Sequence, residues 1–315
     1  MPALVVVGSL NMDFVVSVER LPAPGETVLG RDFQMVPGGK GANQACAAGR
    51  LSAGAVPVRM IGRVGHDVFA DHLKASLSAA GVDVSSVHAA RSQPTGVALI
   101  WVDRAGQNSI VVASGANSAL ASADVEAMRQ VFRGASHALF QLESPLDTVG
   151  AALMLARQEG LVTILDPAPA RPLSRELLRQ VDILTPNESE ALLLLARPAA
   201  RVSVNDAPAL AEALLRLGPR AVILKLGDQG CFYSDGRTSC HQPAFPVEAR
   251  DTTAAGDTFN AALAVALAEG KGIPTALRFA NAAAAISVTR MGAQSSAPAR
   301  AEVDALSSTR DPPGR

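Results

Sequence analysis

The stretch Arg250-Asp251-Thr252-Thr253-Ala254-Ala255-Gly256-Asp257-Thr258-Phe259-Asn260 sets three small residues and an acid at the start of an apolar helix. Residues 258–268 are rich in Ala and Leu with one apolar face, which predicts the helix, and strand-like Phe245 and Val247 precede it. The first N–H groups of a helix lack partners inside it, and the helix dipole adds partial positive charge there. Ala254, Ala255 and Gly256 would let an anion approach those groups closely, with Asp257 at the mouth of the cradle. An acid in that position makes chemical sense if a phosphoryl group moves to an alcohol. The alcohol then needs an acceptor for its proton while the helix N-terminus holds the developing charge. The dipole is expected to keep Asp257 ionised, as a positioned acceptor more than a strong base. That suffices when the transition state is loose. Taken alone, the same residues also read as an ordinary acidic first turn and small-residue packing.

Further polar residues recur where strands end. An apolar run at 4–7 reads as a buried parallel strand, followed by Asn11 and Asp13, which point the same way in extended backbone. An amide and a carboxylate there suit a polyol; a turn using Asn and Asp for local bonding is the other reading. Gly38-Gly39-Lys40-Gly41-Ala42-Asn43 opens a helix running to Arg50, either as a hinge beside a substrate site or as a plain helix-start turn. Its spacing is not that of a nucleoside-triphosphatase phosphate loop. Glu143, Asp166, Gly227 and Asp228 also follow strands, the place where open α/β sheets hold ligands. Asn187 and Glu190 lie three apart at a helix start, suited to a hydrated Mg2+ ion or to a capping box.

The elements that must position these groups alternate. Helices are expected at 122–132, 146–158, 174–180, 188–196 and 207–217, and strands at 137–141, 161–165, 182–184 and 220–226. This predicts an α/β fold, a mostly parallel central sheet with helices on both faces. Extended segments at 14–18, 27–35, 95–102 and 109–113 fall outside the alternation and predict a small extra sheet. It is expected to be a lid that excludes water, with its strands inserted at about 12–36 and 94–115; its edges could equally form a dimer interface. Residues 1–306 then make one domain, and 307–315, with Asp311-Pro312-Pro313-Gly314, a disordered tail.

Composition excludes several classes. The 315 residues are 48% hydrophobic and 18% charged with a net charge of −1, so no basic excess invites nucleic acid, and 3% aromatics leave few stacking platforms. Cys46, Cys231 and Cys240 are odd in number and lack metal spacing, which favours a reducing compartment. The first residues carry no basic flank and too short an apolar run for a signal peptide, and no later run reaches membrane-spanning length. A cytoplasmic location without membrane partners is expected. No Gly-x-Gly-x-x-Gly follows the first strand, which counts against a dinucleotide-dependent dehydrogenase.

Assembled, these residues resemble the PfkB carbohydrate-kinase family, and most closely its ribose-phosphorylating members, over nearly the whole chain. The matching stretches include Gly25-Glu26-Thr27, Gly38-Gly39-Lys40-Gly41-Ala42-Asn43-Gln44, Pro94-Thr95-Gly96 and Gly115-Ala116-Asn117. They continue through Gln141-Leu142-Glu143-Ser144-Pro145, Thr185-Pro186-Asn187-Glu188 and Ala254-Ala255-Gly256-Asp257-Thr258-Phe259-Asn260. The resemblance implies ATP-dependent phosphorylation of the 5-hydroxyl of D-ribose. It assigns sugar binding to Asn11, Asp13, Gly39, Lys40, Asn43 and Glu143, catalysis to Asp257 as base, and the anion hole to Ala254, Ala255 and Gly256. It assigns the Mg2+/phosphate motif to Asn187 and Glu190, and the nucleotide to Lys225, Gly227, Asp228, Gly230 and Asn281. An activating monovalent cation, usually K+, would be held by the loops carrying Asp251, Thr253, Ser287, Arg290, Gly292 and Ser296. The extra sheet would pair two subunits in a homodimer. Lys225 departs from the family's small hydroxyl residue, Asn281 from a frequent histidine, and Thr253 from a commoner apolar residue. The rival readings are a kinase of the same fold acting on deoxyribose or a ketose, and a non-catalytic sugar-binding protein; Asp13 favours vicinal hydroxyls, and the presence of Asp257, Gly256 and Glu190 favours catalysis.

Overall fold

The computed structural model describes residues 2–104 and 106–309. The chain begins with β1 (Ala3–Val7), β2 (Asn11–Val18), β3 (Gly30–Gly38), α1 (Lys40–Ser52), β4 (Val58–Val64), α2 (Val68–Ala79), β5 (Val82–Ala89), β6 (Gly96–Val102) and β7 (Asn108–Ala113). It continues as α3 (Ser122–Ala127), β8 (Ala135–Phe140), α4 (Leu146–Gln158), β9 (Val162–Leu165), α5 (Arg175–Leu178), β10 (Ile183–Leu184), α6 (Glu188–Leu194), α7 (Ala207–Leu215) and β11 (Ala221–Lys225). A hairpin of β12 (Cys231–Ser234) and β13 (Ser239–Gln242) is followed by α8 (Ala255–Ala268), α9 (Ile273–Ser287) and α10 (Arg300–Ser307).

The main sheet has the order β13-β12-β11-β10-β9-β8-β1-β4-β5. It is parallel except at the β11–β12–β13 edge. All five residues of β1 are buried, as expected of a central strand covered on both faces. Their side chains alternate. Leu4 and Val6 join a core built with α1, α2, α8 and α9, whereas Val5 and Val7 join one built with α3, α4, α6 and α7.

Helices α1 and α8 pack together through elements rich in small buried residues: Ala42, Ala45 and Ala48 on one, Ala261, Ala262 and Ala264 on the other. Small side chains let helix axes come close, and here they bring the first turns of both helices together. Gly41 lies against the turn after β1, where an added Cβ would stand 2.6 Å from the Gly8 carbonyl carbon.

The four-stranded second sheet has the order β3-β2-β6-β7, with β2 and β6 parallel and the outer pairs antiparallel. Its strands lie where the sequence puts the extra sheet, and Phe33, Met35, Ile110, Val111 and Val112 on it, with Leu29 just before β3, are exposed. Among the described residues no helix is long and apolar enough to cross a membrane.

Some elements differ from the sequence reading. Phe245 and Val247 are not in a strand; Pro243 and Pro246, which have no N–H for a ladder, keep 243–249 irregular, and both residues line a cavity instead. Strand β5 is an additional edge strand whose polar Asp83, Ser85 and His88 dilute the apolar signal. The β12–β13 hairpin also goes unread, although Asp235-Gly236 between two short runs is a hairpin cue. The expected helix at 122–132 ends at Ala127 and continues as a 3-10 turn at Arg129–Val131. Helix α10 extends through Ser307, one residue past the expected domain end, and residues 310–315 of the expected tail lie outside the described residues.

Candidate active site

Asp257 is buried in the first turn of α8. Its Oδ2 accepts a hydrogen bond from Asn43 Nδ2 at 3.1 Å and its Oδ1 one from Gln44 Nε2 at 3.0 Å. Ala254 caps the helix in the left-handed conformation, φ 56°, and contributes no side-chain bond. The N–H of Ala255 donates to the Thr252 carbonyl at 3.2 Å. Burial pushes the Asp257 carboxyl up to about 6; Asp166 adds to the rise, and Lys40 and the two amide bonds oppose it. Desolvation is the largest of these effects, and a carboxyl at about 6 remains ionised at neutral pH.

On one side of Asp257 lie the polar residues of the small sheet and α1. Asp13 is buried, its Oδ1 has no hydrogen-bond partner, and burial raises its carboxyl to about 7, with Glu143 and Asp257 adding repulsion. Asn11 presents its Oδ1 to Asn117 Nδ2 at 2.7 Å. Glu143 Oε2 accepts from Ser9 Oγ at 2.5 Å and from the Lys40 backbone N–H at 3.0 Å. Gly39 caps α1 with φ 88°, and a Cβ there would stand 2.7 Å from the Asn11 nitrogen. Only glycine fits such a joint. Asn43 Oδ1 is a second buried acceptor without a partner. Buried acceptors of this kind are costly unless a ligand supplies donors.

On the other side opens a cavity of about 690 Å3 lined by Gly256, Lys225, Glu190, Gly227, Gly230 and Asn281, with Lys40, Asp228 and Asp257 also on its wall. Lys40 thus faces this cavity as well as the sugar-side group. Burial would discharge it, yet Asp257, Asp166, Glu143 and Glu190 hold its ammonium above the ordinary lysine range. Lys225 Nζ pairs with Asp166 Oδ1 at 3.0 Å, and the fields of Asp166 and Glu190 outweigh burial to raise it too. The same ammonium lies 3.2 Å from where a Cβ on Gly256 would stand. Asn187 and Glu190 form a capping box: Glu190 Oε2 accepts from the Asn187 N–H at 2.7 Å and Oε1 from its Nδ2 at 3.0 Å. Asn281 Nδ2 donates to the carbonyls of Gln242 and Pro243, at 3.0 and 3.1 Å, and so anchors the irregular segment along the cavity wall.

Asp251 joins the two expected cation loops. Its Oδ1 accepts from the Thr253 N–H at 2.9 Å and its Oδ2 from the Gly292 N–H at 2.8 Å. Arg290 turns its side chain to Glu302, while its N–H donates to the Ser287 carbonyl at 3.1 Å. The hydroxyls of Ser287 and Ser296 return to their own turns, at Ala284 and Ala293.

The sequence reading assigns no role to Gln44, Gln141, Ser9 or Asn117, and names Asp166 only as a strand-end acid. Gln44 and Gln141 are buried polar side chains, a signal that becomes visible only once burial is known.

The description of the pfkB family carbohydrate kinase matches residues 1–300. The chain belongs to the pfkB carbohydrate-kinase family. Among curated family members, it is 43% identical to a ribokinase of Haemophilus influenzae over 95% of this chain and 96% of that one. It is 44% identical to a ribokinase of Bacillus subtilis over 96% and 98%. The structure of the Arabidopsis thaliana ribokinase complexed with ribose and ATP superposes with a TM-score of 0.90 at 36% identity, covering 98% of this chain and 99% of that one. The pfkB fold thus extends through the main sheet and the small sheet alike.

Proposed function

We propose that the protein transfers the terminal phosphoryl group of ATP to the 5-hydroxyl of D-ribose, giving D-ribose 5-phosphate and ADP. One observation carries this reading: Asp257 sits at a helix N-terminus between a glycine-lined cavity of about 690 Å3 and a cluster of buried, unpartnered acceptors. Ribokinases similar over almost the entire chain, one of them complexed with ribose and ATP, support it.

In this reading the sugar hydroxyls donate to Asp13 and Asn43, and Asn11, Gly39, Lys40 and Glu143 complete the pocket. Vicinal hydroxyls relieve the cost of the unpartnered carboxylate; a sugar lacking one would leave that cost in place. Asp257 accepts the proton of the attacking 5-hydroxyl. The developing charge on the phosphoryl oxygens is met by the first turn of α8, the loop of Ala254, Ala255 and Gly256. Within it the N–H groups of Gly256 and Asp257 are the donors, because that of Ala255 already bonds Thr252. Gly227, Asp228, Gly230 and Asn281 flank the nucleotide, and Lys225 and Lys40 offset the charge of its phosphates.

Glu190 suits Mg2+ bound through water, since its oxygens are each engaged once by Asn187 and retain lone pairs on the cavity side. When bound with ATP, Mg2+ supplies charge neutralisation to the triphosphate. The loops bearing Asp251, Thr253, Ser287, Arg290, Gly292 and Ser296 suit a monovalent cation such as K+, because the Asp251 carboxylate ties the Thr253 and Gly292 backbones together just before the start of α8. The small sheet closes over the sugar as a lid, and its exposed apolar residues pair two copies in a dimer. Residues 1–306 act as one kinase unit, working in the cytoplasm.

The test is a coupled ADP-release assay with Mg-ATP and K+ against ribose, deoxyribose, fructose and arabinose. Turnover with ribose far above the others is expected. Preference for another sugar would overturn the substrate, and no turnover by folded protein would overturn the reaction.

A further inference from the structure

Gln44 stands at the centre of a linked set of buried side chains at the site. Its Nε2 donates to Asp257 Oδ1 at 3.0 Å and to Asp166 Oδ2 at 3.1 Å, so one amide nitrogen spans two carboxylates. Its Oε1 accepts from Gln141 Nε2 at 2.6 Å. The two carboxylates require the Gln44 nitrogen on their side, which turns its oxygen to Gln141 and lets the Gln141 bond hold the amide there. Asp166 is in turn held from the far side by Lys225, whose ammonium borders Gly256 at the phosphate end of the cavity. Gln44 is completely buried, and its neighbours within one turn of α1 are Ala, Gly and Cys apart from Lys40 and Asn43.

Without the Gln44 donor, two buried carboxylates would face each other with nothing between them, and Asp257 would keep only the Asn43 bond. We propose that Gln44, oriented by Gln141, is a positioning residue that fixes Asp257 in its acceptor geometry and joins it through Asp166 to Lys225 on the phosphate side. This rests on the reading of Asp257 as the acceptor of the sugar proton. The charged groups acting on Asp257 are Lys40 from α1, Asp166 after β9, Asp13 from β2 and Lys225 from β11. Among the described residues, the amides of Asn43 and Gln44 alone hydrogen-bond its oxygens.

The experiment compares the wild type, Gln44→Met, Gln141→Met and Asp257→Asn in kcat–pH profiles, with the sugar and ATP KM measured at each pH and folding checked by circular dichroism. Gln44→Met keeps the length and removes the donor. The lost charge-assisted bond and the exposed carboxylate pair should move the acid limb of kcat upward by about 1 to 2 pH units. KM for ATP should change less than kcat. Gln141→Met leaves Gln44 in place but frees its amide, and should move the same limb in the same direction by less. A folded Gln44→Met with the wild-type limb overturns the proposal. If Gln44→Met does not fold, an unmoved limb in Gln141→Met overturns it and a raised limb supports it. An inactive Asp257→Asn beside an unmoved Gln44→Met refutes the bridge alone, whereas a fully active Asp257→Asn refutes the reading on which it rests.

Discussion

Replacing Asp257 by Asn tests the site through stability and turnover together. Burial lifts the Asp257 carboxyl from its ordinary 3.8 to about 6 in the folded chain. Between those values the native state binds more protons than the unfolded one, so this group's contribution to stability falls as pH rises from about 4 through 6 and is level above that. A difference of about two pH units corresponds to about 3 kcal/mol, and about 2 kcal/mol of it is expressed between pH 4.5 and pH 8. Asn cannot titrate, so that fall should vanish in the variant. Its amide can accept from only one of Asn43 and Gln44 and must turn its NH2 toward the other, a loss of about 1 to 3 kcal/mol at either pH. The offset between variant and wild type should thus move by about 2 kcal/mol in favour of the variant on going from pH 4.5 to pH 8. Titrations of groups that do not feel Asp257 are common to both proteins and cancel, whereas Asp13, relieved of the Asp257 charge, titrates lower in the variant and moves the offset further in the same direction. Urea unfolding at the two pH values reads the stability difference, and a coupled assay at pH 8 should show kcat down by about 10²- to 10⁴-fold. Wild-type turnover would refute the role of Asp257 as proton acceptor, and an offset that does not move with pH would refute the desolvated carboxylate.

Three further outcomes are expected. Because Asp13 titrates near 7 and its ionised form is the one that accepts sugar hydroxyls, ribose should bind about tenfold more weakly at pH 6 than at pH 8 by calorimetry; equal or tighter binding at pH 6 would contradict this. Lys225→Met leaves Asp166 buried without its cation and should cost about 3 to 5 kcal/mol in unfolding experiments. Asp166→Asn in the same chain should restore most of that loss, and failure to do so would show that the pair is not what stabilises this wall. Replacing K+ by tetramethylammonium should lower turnover reversibly, since the Asp251-stapled loops abut the start of α8; indifference to every monovalent ion would remove the cation site.

Much of this protein is legible in its sequence because the relevant signals are local. The five apolar residues of β1 announce a strand covered on both faces, and the small residues before Asp257 announce an open helix N-terminus. The Gly38-Gly39 joint and the recurrence of polar residues after strands mark the ends where ligands are held. Whatever depends on desolvation or on remote neighbours is not written that way. The place of Asp257 at a helix start is legible, but its rise to about 6 comes from the surrounding fold, which strips its water. Gln44 looks like a helical residue beside Asn43, yet it bridges Asp166 and Asp257, 122 and 213 positions away. Lys225 reads as a departure on a nucleotide strand until Asp166 is seen beside it. Periodicity encodes which face of an element is apolar. Only the packing of α1 on α8 and of both on the sheet determines which polar atoms meet in the low-dielectric interior, where their interactions are strongest.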